Sequence, residues 1–339
     1  MTHQIRIAGT DVAFPCAPGQ TVLAAGMAAG IELPYSCRKG VCASCAGRVE
    51  KGSVAAVQGT AQNNEACLPG EVLFCVCTPV SDVTIEPTSW RRVDPDARKR
   101  YAAKVFRRQQ AAPDVSVLQL RLPAGQRARF RAGQYLQVSL PDGQVRAYSM
   151  ANPPHESDML TLHVRHVPGG QFTERLRTLE RGDVLEVELP FGSVALDAEG
   201  ERALVCVAGG TGFAPVKSLL DHLARARTAR PVTLVWGARD AAGIYLPDAL
   251  ARWRKALPGF RAVIALETGP AAEHPQAYAG RVDAALAERV GALAGAQVYC
   301  CGAPAMVDAV RRRAIEGLGL APHDFHADAF VPATAPAPA

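Results

Sequence analysis

Four cysteines constrain this chain more than any other feature of it. Cys37, Cys42 and Cys45 crowd into the run SCRKGVCASC, and Cys75 follows 30 positions later in LFCVC, giving the pattern C-x4-C-x2-C-x29-C. A loop carrying three thiols so close together has to wrap tightly around whatever they hold. Gly40, Ala43 and Ser44 are the small residues that tight wrapping needs. The N-terminus MTHQIRIAG has no basic stretch followed by an apolar run, so no secretory signal is read and the cytoplasm is the expected compartment. The 10 cysteines are then expected to be mostly reduced, and a cluster of them reads as a metal site or as core before it reads as disulfides.

The first three spacings match the ligand run of plant-type [2Fe-2S] centres, in which loop amides point at the sulfurs. Zinc would ask for a second C-x2-C pair, and the chain offers Cys75-Val76-Cys77 instead. A Rieske centre needs two histidines, and the early part of the chain holds only His3. For the fourth thiolate Cys67, Cys75 and Cys77 are all available. Cys75 has the expected spacing, and Cys77, two residues on in an expected strand, reads as a core thiol on the same face.

A chain of 339 residues exceeds one ordinary core and predicts two or three domains. Hydrophobic residues make up 48% and charged residues 20%, the balance of a globular protein with several cores. Residues 1–91 read as a small α+β module: a hairpin around Gly9-Thr10-Asp11, a short helix capped by Thr21, then short strands near Arg48, Leu73 to Cys77 and Val83. Residues 92–100 read as a linker. From 101 to 198, VSVLQLRLP, QYLQVSLP, VRAYSM, TLHVRHV and DVLEVELPFG follow one another as an antiparallel barrel, interrupted by one helix from Phe172 to Leu179. From 199 to 331 the rhythm becomes strand, glycine turn, helix, repeated, which predicts a doubly wound parallel α/β sheet. Residues 332–339 read as a disordered tail.

The net charge of +5 is modest, and the basic residues gather between Arg91 and Arg108. That run is read as a solvated linker, with a docking patch for an acidic partner as the alternative, and no nucleic-acid partner is expected. The longest nearly apolar stretch, Thr21 to Ile31, falls short of the roughly 20 residues a membrane helix needs, so no membrane association is expected either.

PYSCRKGVCASC together with LFCVCTPVSDVTI resembles the ferredoxin domain of the ring-hydroxylating oxygenase reductases, which place a plant-type ferredoxin, a β-grasp fold, ahead of a ferredoxin-NADP-reductase-like pair of domains. Ala43 departs from that family, which commonly has glycine after the second ligand. The segments AFPCAPGQTVL, AYSMANPPHESD, LHVRHVPGG, CVAGGTGFAP and DFHADAF continue the resemblance in order along the chain. It implies FAD, a [2Fe-2S] cluster, NADPH or NADH as donor, and a terminal Rieske-type oxygenase as electron acceptor. Arg146, Tyr148 and Ser149 match the family's R-x-Y-[ST] motif, where the arginine holds the flavin pyrophosphate, the tyrosine packs against the isoalloxazine and the serine bonds the ring edge near N5. A strand tyrosine alone is ordinarily core. Gly169, Gly170 and Thr173, just before the expected helix, add a phosphate cradle and change that reading.

Gly209, Gly210, Thr211, Gly212 and Pro215 match the family's GGTG-x-AP turn for the nicotinamide nucleotide, and Cys301 with Gly302 matches its C-G-x-P turn beside the nicotinamide. Cys300 reads as a core thiol. Phe330 resembles the late aromatic that covers the flavin, with Asp328 where a carboxylate is often found. Arg239, after the second strand of the nucleotide domain, is a candidate partner for a 2'-phosphate. Arginine at a strand end is usually only surface, and NADH stays open.

Hydride donation moves two electrons and an iron–sulfur cluster takes one, so a flavin, which does both, belongs between them. A reductase of another oxygenase or of a deoxysugar dehydrase would share these motifs. A plain ferredoxin-type electron carrier, or a flavin-only reductase with a relict cysteine loop, are the readings of other classes. Replacing Cys42→Ser tests the modular electron path: cluster absorbance is expected to vanish while NADPH-to-ferricyanide activity persists, and loss of both contradicts it.

Overall fold

The structure, a computed structural model, describes residues 1–60, 67–94, 97–193 and 200–331. The expected tail, 332–339, and the expected boundary at 198 lie outside the described residues.

The first module is a mixed sheet whose strands stand in the spatial order Ala13–Cys16, His3–Ile7, Val83–Pro87, Ala46–Lys51, Glu71–Leu73. Alternation builds it: Ile5, Ile7, Phe14 and Cys16 are buried while Gln4 and Arg6 face out. His3–Ile7 pairs antiparallel with its hairpin partner and parallel with Val83–Pro87, the arrangement of a β-grasp. Helix Val22–Ala28 lays Val22, Leu23 and Ala25 on the sheet, and its N-cap Thr21 accepts a hydrogen bond from the Ala24 amide at 3.2 Å.

Six antiparallel strands form the second module, in the order Val145–Ser149, Tyr135–Ser139, Val184–Phe191, Lys99–Ala112, Val115–Arg121, Met159–Arg165. The two ends of that order meet through an antiparallel bridge between Met150 and Leu162, reinforced by Ala151 N–H to the Thr161 carbonyl at 2.8 Å, so the sheet closes into a barrel. The expected helix runs from Gln171 to Thr178.

The third module is a parallel sheet ordered Tyr278–Ala279, Arg261–Leu266, Val232–Ala238, Leu204–Gly209, Gln297–Gly302, Phe325–Ala329. Helices Phe213–Ala226, Pro247–Ala256 and Pro304–Arg312 connect its strands. Phe213 and Trp236 stack 3.7 Å apart within its core.

Several details differ from the sequence reading. LFCVC is not one strand: the ladder ends at Leu73, the Val76 amide turns back to the Leu73 carbonyl at 3.0 Å, and Cys77 opens a separate ribbon with Val54–Ala56. Cys75 therefore sits in a turn, and Cys77 does not share a strand face with it. The stretch read as linker is partly ladder, because Arg91–Arg92 pairs with Ile31–Glu32 and Lys99–Ala112 begins inside it. Nor is the basic run a free surface throughout. Arg91 and Arg131 both reach the Glu32 carboxylate, Arg100 pairs with Glu188 at 2.9 Å, and Arg98 lies over the Phe191 ring. No described helix is long and apolar enough to cross a membrane.

Candidate functional site

The cysteine loop leaves the first module between strands Ile31–Glu32 and Ala46–Lys51. Its four candidate thiols fall into two pairs. Cys37 lies in hydrogen-bonding contact with Cys42, and Cys45 with Cys75. Backbone amides are aimed at the sulfurs: Lys39 N–H meets Cys37 Sγ at 3.3 Å, with Val41 and Cys42 amides beside it, and the Gly40 amide faces Cys75. The Cys42 thiol and these amides hold Cys37 below the usual thiol range, while Cys42 is pushed up by donating to Cys37 and by burial. Among the described residues no three donors converge as a single-ion site. Two pairs of thiols under converging amides suit a core of two irons, each taking two protein sulfurs.

Cys67 and Cys77 stand outside both pairs. Burial pushes the Cys67 thiol up to about 11 and Cys77 up to about 12, and Cys77 packs in the β-grasp core. Ala43 adopts φ +55°, the left-handed region in which a side chain is strained, which is the physical reason glycine suits that position.

In the barrel, Arg146, Tyr148 and Ser149 share strand Val145–Ser149. Arg146 reaches the Gln171 side chain at 2.6 Å, at the start of helix Gln171–Thr178, so its guanidinium and the helix N-terminus capped by Gly170 stand together. The Tyr148 and Phe172 rings are 5.0 Å apart. Gly169 turns the chain with φ +70°. The Thr173 hydroxyl bonds the carbonyls of Val167 and Gly170, at 2.8 and 2.9 Å, which holds the turn that leads into the helix.

In the third module, Gly209 ends a strand, Gly210–Gly212 make one tight turn with Thr211 between them, and helix Phe213–Ala226 follows with Pro215 in its first turn, where no intrahelical N–H is missed. A Cβ on Gly212 would stand 2.1 Å from the Cys301 carbonyl oxygen, so the glycine lets this turn lie against the C-G turn. Cys301 is fully buried, and burial, then the nearby Asp328 charge, hold its thiol protonated. Phe330 donates its amide to the Gly302 carbonyl at 2.8 Å, which seats it beside that turn. Arg239 stands exposed past the end of strand Val232–Ala238. Cys300 is a buried core thiol, as expected.

Asp328, on the last strand, joins the three modules. Its carboxylate accepts from Ser36 Oγ of the cysteine loop and from Ser149 Oγ of the barrel, the latter at 3.4 Å. All three residues are buried. Burial pushes the Asp328 carboxyl up to about 6, with the two hydroxyls pulling the other way.

Two residues near the site escaped sequence reasoning. Ser36 precedes a ligand, and serine there has no spacing signature. Arg165 lies against Gly210, its guanidinium 2.7 Å from where a Cβ would be, and pairs with Asp114 at 3.4 Å; it stands in the segment LHVRHVPGG but resembled an ordinary strand-end cation. His163 and His166 are structural, held by Tyr245 and Ser116.

Comparison with known proteins agrees with this layout. Residues 5–80 match the family described as 2Fe-2S iron-sulfur cluster binding domain, residues 102–196 Oxidoreductase FAD-binding domain, and residues 206–312 Oxidoreductase NAD-binding domain. Terephthalate 1,2-dioxygenase reductase component 2 of Comamonas is 56% identical over 97% of this chain and 98% of its own length. A CDP-6-deoxy-L-threo-D-glycero-4-hexulose-3-dehydrase reductase of Yersinia pseudotuberculosis is 31% identical over 98% of this chain and 99% of its own. Among solved structures, an Amycolatopsis cytochrome P450 reductase superposes with a TM-score of 0.75 at 30% identity, covering 98% of this chain and 100% of its own.

The Gly212 contact generates a direct expectation. Gly212→Ala forces the turn away from Cys301 and should slow flavin reduction by NADPH by about a hundredfold, the scale of a misplacement near 1 Å, while cluster absorbance stays intact. Unchanged reduction would show that the two turns need not touch.

Proposed function

The chain belongs to the family of oxygenase reductases that combine a [2Fe-2S] ferredoxin domain with FAD- and NAD-binding domains, and from that premise we propose that it carries electrons from NADPH, in the cytoplasm, to the terminal Rieske-type oxygenase of a terephthalate 1,2-dioxygenase. The meeting of three modules on the Asp328 carboxylate carries the electron-path reading. The specific acceptor rests on the near end-to-end identity of 56% with a terephthalate dioxygenase reductase component.

When bound, FAD takes two electrons as hydride and releases them singly, and the diiron cluster accepts one at a time. The chain's own residues place these groups. Cys37, Cys42, Cys45 and Cys75 supply the cluster thiolates. Arg146 and the amides behind Gly169 and Gly170 hold the flavin pyrophosphate, Tyr148 packs against the ring, and Ser149 hydrogen-bonds its edge. Gly209, Gly210, Thr211 and Gly212 bring bare backbone to the nicotinamide nucleotide, with Pro215 presetting the helix that follows. Cys301, a protonated thiol next to Gly302, would face the nicotinamide, and Phe330, seated on the Gly302 carbonyl, would cover the flavin ring. Asp328 holds the Ser149 hydroxyl toward the reacting edge. Arg239 pairs with the 2'-phosphate that distinguishes NADPH from NADH.

Two measurements check this reading. Mixed with the oxygenase component of a terephthalate dioxygenase, the purified protein should consume NADPH only when terephthalate is added; turnover with a deoxysugar dehydrase instead would assign it to the second group of relatives. Arg239→Ala should raise the Michaelis constant for NADPH about tenfold or more, the worth of one charge-assisted contact, with little change for NADH. Equal effects on both would place the phosphate partner elsewhere.

A further inference from the structure

The cysteine loop is fastened to the other modules at both of its ends. At the entry, the Tyr35 amide donates to Ser193 Oγ, the Tyr35 carbonyl accepts from the Ser193 amide at 3.1 Å, the Tyr35 hydroxyl accepts from the Gly192 amide at 2.9 Å, and Tyr135 OH reaches the Ser36 carbonyl at 3.4 Å. Toward the exit, Ser44 Oγ donates to the Ala327 carbonyl at 2.8 Å. Cys37 and Cys42 pack against the apolar group that includes Phe325 and Ala327. Between these fastenings, the Ser36 hydroxyl donates to one oxygen of Asp328 while the other oxygen takes Ser149. One buried carboxylate thus holds a residue next to a cluster ligand and a residue at the flavin edge.

The energetics make this contact stronger than an ordinary loop bond. A carboxylate withdrawn from water needs its oxygens filled, and hydrogen bonds to a charged group exceed neutral ones. Backbone contacts at Tyr35, Ser193 and Ala327 fix where the loop runs, but only the Ser36 side chain ties it to the group that also holds Ser149. Electron transfer depends steeply on separation, so a loop that rocks on its end fastenings passes electrons more slowly than one pinned at its centre.

We propose that Ser36 is a positioning residue: its hydroxyl latches the cluster loop to Asp328 and so sets the flavin-to-cluster approach through which electrons cross between modules. The proposal rests on the electron-path reading above. The step it governs moves one electron from reduced flavin to oxidised cluster, with no bond made or broken; the electron originates in the hydride of NADPH and leaves to the external acceptor.

The test uses the full-length holoprotein and its Ser36→Ala and Ser36→Thr variants. With NADPH added anaerobically, cluster bleaching should slow about tenfold in the alanine variant, the population cost of one charge-assisted hydrogen bond, while NADPH-to-ferricyanide reduction stays at the wild-type rate. Threonine, which keeps the hydroxyl, should restore bleaching. Independently of activity, hydrogen exchange of amides 325–329 should quicken in the alanine variant, in protein with or without its cluster. Wild-type bleaching in the alanine variant would overturn the latch, as would unchanged exchange in a variant that loses its cluster. If the wild-type flavin itself is not reduced by NADPH, the functional reading fails instead, which separates the two.

Discussion

A carboxylate buried among three modules needs hydrogen-bond donors in place of the water it has given up, and at Asp328 those donors are hydroxyls from the other two modules. This one requirement links the parts of the molecule. Ser36 belongs to the cysteine loop, Ser149 ends the barrel strand that also carries Arg146 and Tyr148, and Asp328 stands on the strand paired with Gln297–Gly302, the strand of Cys301. Moving any module removes a donor from a group that has no solvent to turn to. Burial pushes the carboxyl up to about 6 even so, against the pull of the two hydroxyls.

The loop resting on that carboxylate is shaped by a second constraint. Amides can point inward at sulfurs only where the backbone turns the less usual way, and Arg38 and Gly40 take φ of +56° and +71°, with Ala43 at +55°. Glycine bears this freely, whereas Arg38 and Ala43 hold it because the surrounding contacts compensate. The same economy of space recurs at the nucleotide turn, where Gly212 admits the Cys301 carbonyl. Close approach of backbone to backbone or to sulfur, more than any reactive dyad, is what the site is built from.

Much of this was legible in the order of residues because the signals are local. Cysteine spacing, period-two alternation in VSVLQLRLP and QYLQVSLP, and the recurring strand–glycine–helix rhythm each arise from neighbours along the chain. Where charge masked alternation the reading fell short: the basic run from Arg91 to Arg108 looks like a solvated linker, yet Tyr101, Ala103 and Val105 are buried on one face of a strand of 14 residues, with Ala102 and Lys104 between them facing out. LFCVC has the length and apolarity of a strand, but its hydrogen bonds close a turn that delivers Cys75 to Cys45.

By itself, then, the sequence determined three modules in a definite order, a thiolate loop of a particular spacing, and the glycine turns of two nucleotide sites, since each is encoded within a few dozen consecutive residues. Only the tertiary structure decided that Ser36, Ser149 and Asp328 meet, residues separated by 292 and 179 positions from one another's partner, that Cys77 belongs to the core and Cys75 to the loop, and that Arg91, Arg100 and Arg98 of the basic run are committed to Glu32, Glu188 and Phe191. The physical reason is that a serine or an aspartate carries no record in its neighbours of which distant donor or acceptor will replace the water around it.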